Sequence, residues 1–171
     1  MPAADVRELI GQEVWHSYFK FCVVRNPFEK CISAFCHLGN GYQVQGYAVY
    51  KRALSWLRND RPNFEQRRFI DYLKNEMPVD RGAYMIDGAI CMDHFIRYES
   101  LETDIERTCR RIGVEYNAGF LPTFKAGIRS NRATVEALYT DESRELVERK
   151  FAFELQYFGY DYPGGSRSTE A

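Results

Sequence analysis

The chain has 171 residues, of which 45% are hydrophobic and 15% aromatic, enough to bury the core of a single domain and too apolar for a disordered segment. Lys and Arg number 23 against 24 Asp and Glu, a formal net charge of −1, so the balance favours neither nucleic acid nor an anionic membrane surface and any anion site must be local. No apolar run approaches the ~20 residues that cross a bilayer, and the opening Met-Pro-Ala-Ala-Asp lacks the basic and apolar regions of a signal peptide. The five cysteines, Cys22, Cys31, Cys36, Cys91 and Cys109, are odd in number and include no Cys-x-x-Cys pair. Reduced thiols, no metal site and a cytoplasmic setting are therefore expected.

In chain order, residues from about Ala4 to Gly11 suit a short helix with Val6, Leu9 and Ile10 on its apolar side, and Trp15, Tyr18 and Phe19 lead into a strand. Phe21 to Val24 is apolar and partly β-branched, as for a strand covered on both faces, and it stops at Arg25-Asn26-Pro27. Asn26 is a good N-cap and Pro27 a good first helical residue, because proline has no N–H to lose there. Phe28, Cys31, Ile32, Phe35 and Leu38 recur at helical spacing, and Gly39-Asn40-Gly41 stops the helix. Such a strand, turn and helix can hold an anion, since the first helical N–H groups are unpaired. Arg25 stands at the mouth with a guanidinium that can take two phosphate oxygens, and Ser33 can add a hydroxyl. The same two residues would also serve as a solvated strand-end charge and a wetted helix serine.

Residues 42–50 read as a tyrosine-rich loop or irregular helix, Tyr50 to Leu57 as a helix, and Asn63 to Lys74 as a second helix with Phe69, Tyr72 and Leu73 toward the core. Met77-Pro78 breaks it. Asp93 to Tyr98 is a second strand, followed by a helix from Leu101 to Ile112 that Ser100 can cap and Gly113 ends, with Leu101, Ile105, Cys109 and Ile112 as its buried stripe. Asn117 to Asn131 is loop-like and finishes in the basic cluster Arg129-Ser-Asn-Arg132. A last helix runs from about Thr140 to Tyr157 with the stripe Val147, Phe151, Leu155 and Phe158 and the pairs Arg144–Glu148 and Glu145–Arg149. Gly164 to Ala171 is expected to be a disordered tail after a single domain at 1–163.

The run Val24-Arg-Asn-Pro-Phe-Glu-Lys-Cys-Ile-Ser-Ala-Phe35 resembles the 3′-phosphate-binding motif of sulfotransferases that use 3′-phosphoadenosine 5′-phosphosulfate (PAPS), most of all their carbohydrate and bacterial branch. Phe95-Ile-Arg-Tyr-Glu-Ser-Leu101 is similar to the family's Arg-Tyr-Glu-x-Leu element, and Leu155-Gln-Tyr-Phe-Gly-Tyr160 to its C-terminal close. The resemblance spans about Trp15 to Tyr160. It implies an α/β, P-loop-NTPase-like three-layer fold with a short parallel sheet flanked by helices. It gives the cofactor's 3′-phosphate to Arg25 and Ser33, and a second approach to the nucleotide to Arg129, Asn131 and Arg132. The two helices of the middle stretch, Tyr50 to Leu57 and Asn63 to Lys74, become, by fold analogy, the wall for a carbohydrate-like acceptor hydroxyl.

The family's loop for the 5′-phosphosulfate would precede Phe19, and the eighteen residues before it hold no Gly-rich loop and no Gly-Lys-Ser/Thr, so the fold is expected to be N-terminally incomplete. Three functions stay open on these grounds: a PAPS-dependent sulfotransferase; a non-catalytic nucleotide-binding or interaction protein that keeps the Arg25–Ser33 site; and another P-loop-type transferase such as a kinase, which the absent lysine loop disfavours. Glu29, His37, Asp71 and His94 are each conceivable as a base, and none is singled out.

Overall fold

The structure, a computed structural model, describes residues 1–39, 63–120 and 135–163. In chain order these form α1 (Ala3–Ile10), α2 (Gln12–Ser17), β1 (Phe21–Val24), α3 (Pro27–Gly39), α4 (Phe64–Asn75), β2 (Met85–Ile86), β3 (Ala89–Ile90), β4 (His94–Arg97), α5 (Leu101–Ile112), α6 (Val135–Leu138), α7 (Asp141–Lys150) and α8 (Ala152–Phe158). The expected tyrosine-rich loop, the Tyr50–Leu57 helix and the tail from Gly164 lie outside the described residues. Among the described residues no helix is long and apolar enough to cross a membrane. The chain divides into two compact units, Met1–Arg25 with Pro78–Phe124, and Asn26–Met77 with Lys125–Ala171.

The first unit is α/β. Its centre is a parallel pair, β1 beside β4, in the register Phe21 with His94 through Val24 with Arg97, and α5 packs against β4. Val24 and Ile96 are buried, whereas Phe21 and Val23 are 48% and 46% exposed, so β1 is covered on one face and not on both as its apolar run suggests. An uninterrupted apolar run cannot say which face a neighbour covers. Met85 and Ile86 pair with Ala89 and Ile90 in a hairpin the sequence reading did not anticipate. Its turn places Asp87 at φ 51° and Gly88 at φ 78°, the two left-handed positions a tight hairpin requires. Against it sits a small core of Ala3, Trp15 and Ile86, with Val6 partly buried beside them. The buried side of α1 is thus Ala3 and Val6, while Leu9 and Ile10 face outward. The parallel pair is held at its start by Lys20 and Asp93. The Lys20 N–H and ammonium donate to Asp93 Oδ2 at 2.7 and 2.8 Å, and the Asp93 N–H donates back to the Lys20 carbonyl at 2.8 Å. Those bonds from Lys20, side chain first, hold the Asp93 carboxyl below its ordinary pKa.

The second unit is helical. Phe28, Cys31, Ile32 and Phe35 from α3 and Phe69, Tyr72 and Leu73 from α4 are all buried, as their spacing predicts. Phe69 makes edge contacts with Phe35 at 5.3 Å and with Tyr139 at 5.0 Å. Each such pair adds about 0.5–1.5 kcal/mol to what burial alone contributes. The expected long C-terminal helix is two, α7 and α8, parted at Phe151 (φ −111°, ψ 24°). Thr140 and Ser143 form a reciprocal cap at the start of α7, and Arg144 pairs with Glu148 at 2.8 Å as the spacing predicts.

Candidate functional site

The candidate anion-binding stretch crosses from one unit to the next at a single peptide bond. Arg25 is the last residue of the first unit, and Asn26 begins the second, which also holds Ser33.

In the first unit, Arg25 follows β1 directly and Tyr98 follows β4. Because Val24 is paired with Arg97, the two residues leave the sheet side by side at its carboxyl edge. That edge is where open parallel sheets bind ligands. The Arg25 guanidinium carbon lies 4.4 Å from the centre of the Tyr98 ring, well inside the range of a cation–π contact. The strand end carrying Tyr98 is itself anchored. Asp104 Oδ2 accepts the Arg97 N–H at 3.1 Å and the Ser100 hydroxyl at 2.8 Å. These two bonds, the hydroxyl's first, keep the Asp104 carboxyl below its ordinary pKa. Ser100 was expected to cap α5 through its own side chain; it makes no such cap and instead steadies the carboxylate that reaches back to β4. An ionised carboxylate one turn into the helix accepts the strand N–H more strongly than a hydroxyl would. Thr108, which donates to the Asp104 carbonyl at 2.7 Å, is the buried residue of α5, while Ile112 is exposed. Gly113 ends the helix at φ 72°, as its position predicts.

In the second unit the start of α3 is built as expected. Asn26 Oδ1 accepts the Phe28 N–H at 3.0 Å, and Pro27 occupies the first helical position. The Asn26 amide also donates to the Asp161 carbonyl at 2.9 Å, tying the helix start to the far end of the chain. Tyr139 reinforces it by donating its hydroxyl to the Phe28 carbonyl at 3.1 Å, and burial pushes the pKa of that phenol well up. Ser33 is half-buried on α3. Arg129, Asn131 and Arg132 lie outside the described residues.

Of the conceivable bases, His94 opens β4, at the opposite end of the strand from Tyr98. Three extended residues separate His94 from the strand's carboxyl end, about 10 Å, which removes it from the edge where Arg25 stands. Glu29 and His37 are half-buried on α3, and Asp71 is exposed on α4. The sequence gives Tyr98 only as part of the Arg-Tyr-Glu-x-Leu resemblance and does not reveal its contact with Arg25. The only signal for it was that both residues follow strands that could pair in parallel.

The model of the sulfotransferase family matches residues 3–161. Carbohydrate sulfotransferase 10 of Xenopus laevis is 28% identical to the chain over 187 aligned positions, covering 94% of this chain and 51% of that protein. The rat protein of the same name is 27% identical, covering 86% of this chain and 48% of its own length. An uncharacterized protein of Archaeoglobus fulgidus is 26% identical over 117 positions, 67% of this chain and 83% of that one. The chain thus spans about half the length of the carbohydrate sulfotransferases it matches. No solved structure gives a significant match.

Proposed function

Because the chain belongs to the sulfotransferase family, whose fold is P-loop-like, we propose that it binds PAPS and takes part in moving the sulfuryl group to a hydroxyl of a carbohydrate-like acceptor. The observation that carries the reading is the motif from Arg25 to Ser33, set at the end of a parallel strand and the start of a capped helix, within a family match covering almost all of the chain. PAPS would supply a sulfuryl group activated by its bond to the 5′-phosphate, with 3′-phosphoadenosine 5′-phosphate as the leaving product. What this chain's residues would do is hold the spectator end of that molecule. Arg25 offers a planar pair of N–H donors matched to two phosphate oxygens, and Ser33 one hydroxyl donor. Each of these groups donates and neither adds negative charge, which is the chemistry a dianionic phosphate calls for. Arg129, Asn131 and Arg132 are proposed as a second set of donors to the nucleotide. The acceptor is proposed from the names of the relatives.

Titration calorimetry with 3′-phosphoadenosine 5′-phosphate tests the binding, and transfer of radiolabelled sulfate from PAPS to a panel of oligosaccharides tests the chemistry. Binding with transfer supports the whole reading. Binding without transfer to any acceptor favours a nucleotide-binding protein that does no chemistry by itself. No binding removes both.

A further inference from the structure

We propose that Tyr98 is a positioning residue for Arg25, presenting its ring face to the guanidinium so that the in-plane N–H donors are aimed before a ligand arrives. The inference rests on the reading of Arg25 as the 3′-phosphate ligand and adds a second residue to that function. The guanidinium carbon stands 4.4 Å from the ring centre. A guanidinium held through its flat face keeps its hydrogen-bond donors at its edges, so stacking on an aromatic ring and bidentate binding of a phosphate use different parts of the same group. The ring contact and the phosphate contact are therefore compatible, and the first prepares the second.

Two features of the fold make Tyr98 suitable for this. The register that pairs Val24 with Arg97 brings the next residue of each strand to neighbouring places on one edge. The backbone just before Tyr98 is also fixed, because the Arg97 N–H is bonded to Asp104, which Ser100 steadies and Arg107 approaches at 3.3 Å. An arginine is a long side chain with much rotamer freedom, and freezing it on binding costs affinity. A ring on an anchored turn removes part of that freedom in the unliganded protein. Tyr98 itself is 48% exposed, so its ring is not needed to fill a core and replacing it leaves no cavity.

The test is a set of calorimetric titrations with 3′-phosphoadenosine 5′-phosphate on the full chain and its Tyr98 variants. Tyr98→Leu is expected to bind about two- to fivefold more weakly, the range of an exposed cation–π contact, with thermal stability nearly unchanged. Tyr98→Phe keeps the ring face and should bind like the parent. In an Arg25→Ala background, Tyr98→Leu should cost nothing further. Should Tyr98→Leu fold poorly, Tyr98→Trp replaces it, and its stronger ring face should bind at least as tightly as the parent. The inference is overturned if Tyr98→Leu binds as the parent does, or if Tyr98→Phe is as weak as Tyr98→Leu, which would mean that the hydroxyl touches the ligand. It is also overturned if the Tyr98→Leu penalty persists without Arg25. Failure of the parent protein to bind at all would instead strike the 3′-phosphate reading itself, and Tyr98 would fall with it.

Discussion

Replacing Asn26 by Ala removes two hydrogen bonds from the start of α3, and their size can be worked out from the structure. Asn26 Oδ1 accepts the Phe28 N–H at 3.0 Å, and loss of a helix N-cap costs about 1 kcal/mol. The amide donates to the Asp161 carbonyl at 2.9 Å, a neutral bond near the surface that adds about 0.5–1 kcal/mol. The expected destabilisation is about 1.5–2 kcal/mol, and for a chain of this size it should lower Tm by roughly 3–8 °C. Asn26→Ser separates the two terms, because serine caps a helix about as well but has no amide to reach Asp161. Thermal melts followed by circular dichroism should place Asn26→Ser between the parent and Asn26→Ala. An Asn26→Ala melt that matches the parent, or a serine variant no better than alanine, would refute the assignment of these bonds.

Other outcomes follow from the same structure. Asp104 has a folded-state pKa below its ordinary value, so its contribution to stability is fully present above about pH 4 and is lost as the pH falls through the lowered folded value. Asp104→Asn should therefore be less stable than the parent at pH 7, with the gap closing in denaturant titrations below pH 4; a gap independent of pH would contradict this. Phe69 is fully buried between Phe35 and Tyr139, and Phe69→Ala should cost about 3–5 kcal/mol by urea unfolding. Gly88 sits at φ 78° with open space around it, so Gly88→Ala should destabilise by about 1 kcal/mol through backbone strain alone, without any clash.

The parts legible in the sequence were those carried by local chemistry. The limits of β1, the Asn26 cap with Pro27 behind it, the buried faces of α3 and α4, and the Gly113 stop are all set by neighbouring residues, and the structure agrees with each. The hairpin at 85–90 escaped because its strands are two residues long, too short to show an alternating pattern, although Asp87-Gly88 is itself a strong turn signal. The break at Phe151 carries no Gly or Pro to announce it, and Phe151 is buried where a continuous stripe would also have put it. Contacts across the sheet were least legible. The meeting of Arg25 with Tyr98, 73 positions later in the chain, depends on the register of β1 with β4, which no local pattern encodes. Asp104 displaced Ser100 as the group that closes the turn after β4 because it can take the Arg97 N–H and the Ser100 hydroxyl together, a geometry visible only once strand and helix are packed.

The central claim is that this chain holds the 3′-phosphate of a sulfated nucleotide through Arg25. Its most direct test is the dissociation constant for 3′-phosphoadenosine 5′-phosphate measured by titration calorimetry on the parent and on Arg25→Ala. Loss of a charge-assisted hydrogen-bonding group should weaken binding by about 1.5–3 kcal/mol, roughly ten- to 150-fold, while adenosine 5′-phosphate, which lacks the 3′-phosphate, should bind both proteins equally. Equal affinity of parent and variant for 3′-phosphoadenosine 5′-phosphate, or no binding by the parent, would contradict the account.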